Sequence, residues 1–272
     1  MMRSLWTAAS GMRAQQTNVD TISHNLANIN TIGYKKETAE FKSLLYQTIQ
    51  AKTTSANGET KPVGAQVGLG VKNTSITSVF TQGNMQHTEI DTDFAIEGEG
   101  FFVIRDIDGE DKYTRNGSFL WAISSGGVRL SNSQGLAVLD TDGNEIEFDT
   151  DEYDVSKLQI DARGNVCYPD ETNNAQMLGI QLGVVQFANP SGLEKVGDSL
   201  YQVTGASGEP QYEADGVVKQ SNLKQGYVEM SNVQIMDEMV SLIVAQRAYE
   251  MNARAITTSD EMMSQANQLK RG

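Results

Sequence analysis

From Ser231 to Leu269 the chain runs almost forty residues without a glycine or a proline. Few structures other than one long helix accept such a stretch, because turns and sheet edges draw on both residue types. Met236, Val240, Ile243, Ala248, Met251, Ala255, Met262, Ala266 and Leu269 recur mostly at three- and four-residue steps, the helical period. Ser231 or Asn232 is placed to cap the helix, with Asp237 and Glu238 in an early turn where the helix dipole favours acids. A helix of this extent would be ~55–60 Å long. The N-terminal stretch mirrors it. Leu5, Ala9, Met12, Val19 and Leu26 follow alternating steps of four and three, with Gln16 and Ser23 as polar members of the same seam. Ile22 and Ile29 widen the stripe, and Asn30 and Gly33 tolerate the left-handed backbone that ends a helix.

Two long helices at the two ends suit each other as partners. One reading is an intramolecular hairpin of helices that closes a domain. Another is an assembly contact, since a two-helix unit leaves apolar surface uncovered and interface cores are poor in charge. The pattern fits both.

Between the helices the period changes. Phe94–Ile96, Phe101–Ile104, Leu158–Ile160 and Ile180–Phe187 read as short strands, separated by Asp108-Gly109, Asn116-Gly117, Asp142-Gly143, Gly164-Asn165 and Asp215-Gly216. Asn-Gly and Asp-Gly steps of this kind supply the positive φ that tight hairpins need. The expected fold class is therefore α+β, with terminal helices pairing as a coiled coil and a mostly antiparallel β middle. The expected division is 1–36, an N-terminal helix; 37–90, an extended linker or hairpin segment; 91–224, a β domain; and 225–272, a C-terminal helix. Residues 51–70, rich in Thr, Ser and Gly, read as an extended loop or weak hairpin.

Charge follows the same division. The 272 residues have a formal charge of −14. From Asp91 to Glu171 there are 19 acidic and 6 basic residues; everything else is almost balanced. An acidic chain of this kind lacks the basic face that nucleic acid requires, and no apolar run reaches the ~20 residues of a membrane-spanning helix. A single Cys167 forms no internal disulfide, and with His24 and His87 far apart it makes no zinc cluster. The N-terminus has no apolar core of the secretory type.

Several motifs imitate chemistry. Asp140–Glu145 starts like a calcium loop but lacks the later ligands, and reads as a hairpin turn. Gly98-Glu99-Gly100 lacks the third glycine and the helix of a dinucleotide site. Asn73-Thr74-Ser75 and Asn116-Gly117-Ser118 match a glycosylation pattern that chance often produces. The acidic run Asp149–Asp154 reads as a solvated turn, and His24 as a helix-face contact. No nucleophile, base and orienting group can be assembled, so neither an enzyme nor a cofactor nor a metal site is expected.

Three phrases carry a resemblance. SHNLANINTIGYKK, Ser23 to Lys36, resembles the signature that ends the first helix in the flagellar rod and hook proteins. QGYVEMSNVQIMDEMVSLIVAQRAYEMNARAITTSDEMM, Gln225 to Met263, is similar to that family's C-terminal segment. DTDFAIEGEGFFVI, YTRNGSF and VVQFANPSGLEKVGDSLYQVT match its middle phrases in order; only Ile123 to Asp154 departs, in an unusually acidic stretch. Length and the segment Tyr46–Gly70 look most like the distal-rod members, with proximal-rod or hook-type members as the alternative inside the family. An exported β-domain enzyme or adhesin is the alternative outside it.

The resemblance implies a structural subunit for motility. Its terminal helices would form an inner layer around an export channel and its β domain would face outward. Copies would stack helically into a hollow shaft that carries torque to the hook. It implies as partners the chain itself, proximal rod proteins, hook protein, ring proteins around the rod and the flagellar type III export apparatus. It also implies a basal-body location spanning the periplasm, reached without a cleaved signal peptide. For residues, it implies an assembly seam in which Leu5, Met12, Val19 and Leu26 face Val240, Ile243, Met251 and Met262, within one chain or between chains. Asn25, Leu26, Asn28, Thr31, Gly33, Tyr34, Ser231, Asn232, Gln246, Arg247 and Tyr249 match the family motifs, the first of them at a turn between layers. Tyr46, Pro62, Gly68 and Gly70 mark the segment that would pack between neighbours and stiffen the shaft.

Overall fold

The computed structural model describes residues 2–50, 64–124, 126–149, 153–169 and 175–271. It divides into two compact units: one of Met1–Ala27, Glu37–Thr77 and Gln234–Gly272, the other of Asn28–Lys36 and Ser78–Val233.

The first unit is built on two helices, α1 (Met2–Ala27) and α2 (Ile235–Arg271). Helix α1 carries many hydroxyls, and they do not break it. Thr7, Thr17 and Thr21 each donate to the carbonyl four residues back, and Ser10 to that of Thr7. The helices run antiparallel, in contact along one line. Ser4 Oγ lies 3.5 Å from Ser259 Oγ, the Gly11 backbone abuts the Asn252 amide, and Asn25 Nδ2 donates to Glu238 Oε2 at 3.3 Å. These contacts are spaced by seven and then fourteen residues on both helices. Ala245, fully buried, occupies the corresponding heptad position between Glu238 and Asn252.

This line differs from the expected seam on its α2 side. Leu5, Met12, Val19 and Leu26 are half-buried beside it. Val240 and Ile243, 59% and 56% exposed, lie opposite the line on α2, and Met251 and Met262 are 65% and 48% exposed. The physical reason is size. The contact line runs through Ser, Gly, Ala and Asn, which let the backbones approach, and the large apolar side chains Met236, Val240 and Ile243 are left on the other face of α2. A leucine at Ala245 would wedge the helices apart. Ala245→Leu is expected to cost ~1–3 kcal/mol, read as an earlier loss of helical signal on heating.

The rest of the first unit is an arm of strands: β1 (Glu37–Ser43), β2 (Tyr46–Gln50), β3 (Ala65–Gly68) and β4 (Val71–Ser78). β1 pairs with β4, and β2 with β3 in antiparallel register from Tyr46 opposite Gly68. Of the two readings of the 37–90 segment, linker or hairpin, the described residues are largely in paired strands. Residues 51–63, Pro62 among them, lie outside the described residues. Helix α2 starts at Ile235, later than the expected caps: Asn232 is taken by Lys36, Val79 and Thr81, and Ser231 Oγ accepts locally from the Val233 amide at 3.3 Å.

The second unit is the β structure. Strand Phe101–Arg105 pairs with Asp111–Thr114, Ala137–Val138 and Val184–Gln186, all antiparallel. Its side chains alternate between two apolar clusters. Phe102 and Ile104 enter one with Phe94, Phe119 and Leu182; Phe101 and Val103 enter the other with Tyr113, Phe187 and Tyr201. A strand covered on both faces reads as an uninterrupted apolar run, as Phe-Phe-Val-Ile does. The run Ile180–Phe187 is two strands, broken at Leu182-Gly183, where a Cβ on Gly183 would lie 2.7 Å from the Asp140 carbonyl oxygen. The false calcium loop is a turn in which Asp140 Oδ1 accepts from the Asp142 and Asn144 amides. Strands Asn222–Gln225 and Tyr227–Glu229 pair with Phe94–Glu97 and Met85–His87. The β unit therefore extends to Val233, past the boundary expected at residue 224.

Candidate functional site: the node of the motif phrases

The three phrases that carry the family resemblance each contribute one charge to a buried node. Lys35 Nζ lies 2.6 Å from Glu229 Oε1, and Arg115 Nε lies 3.2 Å from Glu229 Oε2. All three side chains are at least 98% buried. Glu229 Oε1 also accepts from the Gly83 amide at 2.8 Å, and Lys35 Nζ donates to the Thr81 carbonyl at 3.0 Å. Arg115 donates to the carbonyls of Gly98, at 2.8 Å, and Gly100, and its guanidinium carbon lies 5.7 Å from the centre of the Phe101 ring. One carboxylate thus sits between two cations, and its attraction offsets part of the cost of taking three charges out of water.

The backbone around the node is pinned by the same phrases. The Gly33 amide donates to the Glu229 carbonyl at 2.8 Å, and the Lys36 amide to Asn232 Oδ1 at 2.7 Å. Asn232 Nδ2 in turn reaches the Val79 and Thr81 carbonyls at 2.9 and 3.0 Å, and Thr81 Oγ1 at 2.9 Å. Asn28 Oδ1 accepts from Thr31 Oγ1 at 3.1 Å, closing the turn after α1. Gly33 has φ +70°, and a Cβ there would lie 2.6 Å from the Asn116 amide nitrogen. Three chain passages (28–36, 79–83 and 229–232) are fastened together here. Two of them join the helices to the β structure in sequence, and the third follows the arm.

Burial holds the Lys35 ammonium down to about 8 from its ordinary 10.5, helped by the Arg115 charge and opposed by Glu229. A lysine with a depressed folded value costs stability while it is charged in both states. That cost relaxes as pH rises from about 8 to 10.5, where the unfolded chain binds more protons. The stability of the β unit relative to a Lys35→Met variant should therefore rise across that window. Urea titrations of both proteins at pH 7.5 and 9.5 measure it. Tyr113, pushed up to about 12 by burial, acts in the opposite sense only above pH ~10.

In the first unit Asn25 does a similar job. It is buried; its Nδ2 donates to the Glu37 carbonyl and its Oδ1 accepts from the Glu37 amide, both at 2.8 Å. One amide side chain imitates a paired strand and fastens the start of β1 to the end of α1. Gly70, at φ +120°, leaves room for Ser10, whose Oγ accepts from the Val71 amide at 3.3 Å. Tyr46 is exposed at the foot of the arm, and Gly68 lies opposite it in the β2–β3 pair. Gln246, Arg247 and Tyr249 stand exposed on α2, where Arg247 makes a surface ion pair with Glu250.

Lys35, Arg115 and Glu229 were within the phrases but not singled out as site residues. A signal was available for Glu229, a charge between Val228 and Met230, and for Arg115, between Thr114 and Asn116; Lys35, beside Lys36 and Glu37, carried none. Among the described residues no group of three or more His, Cys, Asp or Glu is placed to hold a metal ion. His24 Nδ1 stands 3.7 Å from Glu37, and the His87 ring packs on Tyr227.

A long-helix pair and a β unit with a buried ionic node, and among the described residues no cluster placed to hold a metal, are the frame that the comparisons assign to a class of protein. Three family models match the chain: flagella basal body rod protein over residues 5–35, flagellar hook protein FlgE/F/G D1 domain over 95–168, and flagellar basal body rod FlgEFG protein C-terminal over 224–269. The flagellar basal-body rod protein FlgG of Borreliella burgdorferi is 47% identical over all of both chains. The FlgG of Buchnera aphidicola (Acyrthosiphon pisum) is 41% identical over 99% of this chain and 100% of its own, and that of Bacillus subtilis 37% over both. The chain belongs to the FlgG family of flagellar basal-body rod proteins, a family of structural subunits and not of enzymes. Superposition on the solved Helicobacter pylori hook protein FlgE2 reaches a TM-score of only 0.24 at 14% identity, covering 65% of this chain and 48% of that one, and defines no common fold.

Proposed function

We propose that this chain polymerises helically into the distal rod, a rigid hollow shaft that carries torque to the hook and encloses the export channel. The observation that carries the reading is the uncovered face of α2, where Met236, Val240, Ile243, Val244 and Met251 are all more than half exposed. Single apolar residues on a surface are ordinary, but a contiguous row on one helix marks a contact surface. The heptad spacing of the Ser4–Ser259, Gly11–Asn252 and Asn25–Glu238 contacts supports a coiled-coil pairing of α1 with α2 as the repeating core. The exposed Tyr46, Leu45 and Ile49 of the arm support a second contact between neighbours, the stiffening role expected of Tyr46–Gly70.

On this reading the neighbours are copies of the same chain, proximal rod proteins below, hook protein above and ring proteins around. The subunit spans the periplasm and arrives through the flagellar type III export apparatus without a cleaved leader, as the family resemblance implies. Electron microscopy of the concentrated protein seeded with basal bodies tests it. Straight tubes growing from the seeds are expected; a protein that never extends them would refute the reading.

A further inference from the structure

A groove of about 420 Å³ lies in the first unit between α1 and the arm, lined by Trp6, Ala9, Arg13, Leu44, Leu69 and Lys72. At 100° per residue, Trp6, Ala9 and Arg13 lie on the side of α1 opposite the Ser4–Gly11–Asn25 line that meets α2. Trp6 is 74% exposed at its edge. The lining carries two cations, Arg13 and Lys72, and no carboxylate.

The complementary surface is on α2. Ile235, Met236, Met239, Val240, Ile243 and Val244 are six large exposed apolar side chains within ten residues. The one exposed charge in that stretch is Asp237, since Glu238 is buried against Asn25. Met236, Val240 and Ile243 lie on the side of α2 opposite its contact with α1. Groove and ridge therefore lie on opposite sides of the same unit, and one chain cannot seat its own ridge in its own groove. We propose that the Met236–Val244 ridge of one copy seats in the Trp6–Arg13–Lys72 groove of the next. The inference rests on the rod reading and names the surfaces that reading requires. An apolar ridge with one carboxylate fits an apolar groove rimmed by two cations. A contact between two different surfaces on opposite sides repeats without closing, the symmetry of an open filament.

Cross-linking tests it. In a Cys167→Ala background, full-length Ala9→Cys and Ile243→Cys proteins are assembled on seeds, separately and mixed, then oxidised. Disulfide-linked dimers are expected in the mixed tubes, at least tenfold above either protein alone. Tubes without that cross-link overturn the inference and leave the rod reading standing, as does equal cross-linking of Ile243→Cys with itself. Failure of the parental chain to form any tube overturns both. Ile243→Lys supplies a second arm, because position 243 is exposed and the change leaves the monomer's helical signal intact. Placed against Arg13 and Lys72, it should slow elongation at least tenfold, and unchanged elongation overturns the inference.

Discussion

Replacing Glu229 with alanine should destabilise the β unit by about 3–5 kcal/mol, the cost of leaving buried charges without their counter-ion. The side chain stands between Lys35 and Arg115 and also accepts from the Gly83 amide, so its removal strands two cations and one backbone donor. Lys35→Met should cost clearly less, because Glu229 then keeps Arg115 and the Gly83 amide. The order of the two variants is the informative result. Urea titration followed by tyrosine fluorescence gives both values, and a Glu229→Ala protein as stable as the parent would remove the node from the account.

Gly33→Ala should be comparably severe, ~2–5 kcal/mol from two causes that add. A non-glycine residue at φ +70° is strained, and its Cβ would overlap the backbone of Arg115 and Asn116 at 2.6–2.7 Å. Neither neighbour is the free end of a side chain, so neither yields cheaply. The same titration measures it. A further sign is available from hydrogen exchange at the amide of position 33, which in the parent donates to the Glu229 carbonyl and in the variant should lose protection along with the Lys36 amide. A Gly33→Ala protein within ~1 kcal/mol of the parent would mean that the turn after α1 adapts in ways the geometry does not allow.

Helix α2 was legible in the sequence because a long stretch free of glycine and proline leaves the backbone little choice, and α1, which contains Gly11, because its apolar residues keep alternating steps of four and three. The strand Phe101–Arg105 was legible because a run of four large apolar residues demands cover on both faces. What escaped was decided by the third dimension. The α2 contact face is made of Ala245, Asn252 and Ser259, residues chosen for close approach, while pattern reading follows the large side chains that here point away. The break at Gly183 depends on the distant Asp140 carbonyl. Ser231 and Asn232 look like helix caps, yet Asn232 is spent on Lys36, Val79 and Thr81. The node itself joins Lys35, Arg115 and Glu229 across most of the chain, and no local spacing connects them.

The β unit ends at Val233, which sets where the chain must be cut to separate assembly from folding. A cut at Leu223 would remove two paired strands and Glu229, and would unfold what it means to spare. The most direct measurement compares seeded elongation, by electron microscopy, of the full chain and of a chain ending at Val233. Straight tubes are expected from the full chain, and from the shortened one a folded β unit that extends no seed. Tubes grown from the shortened chain would contradict that expectation.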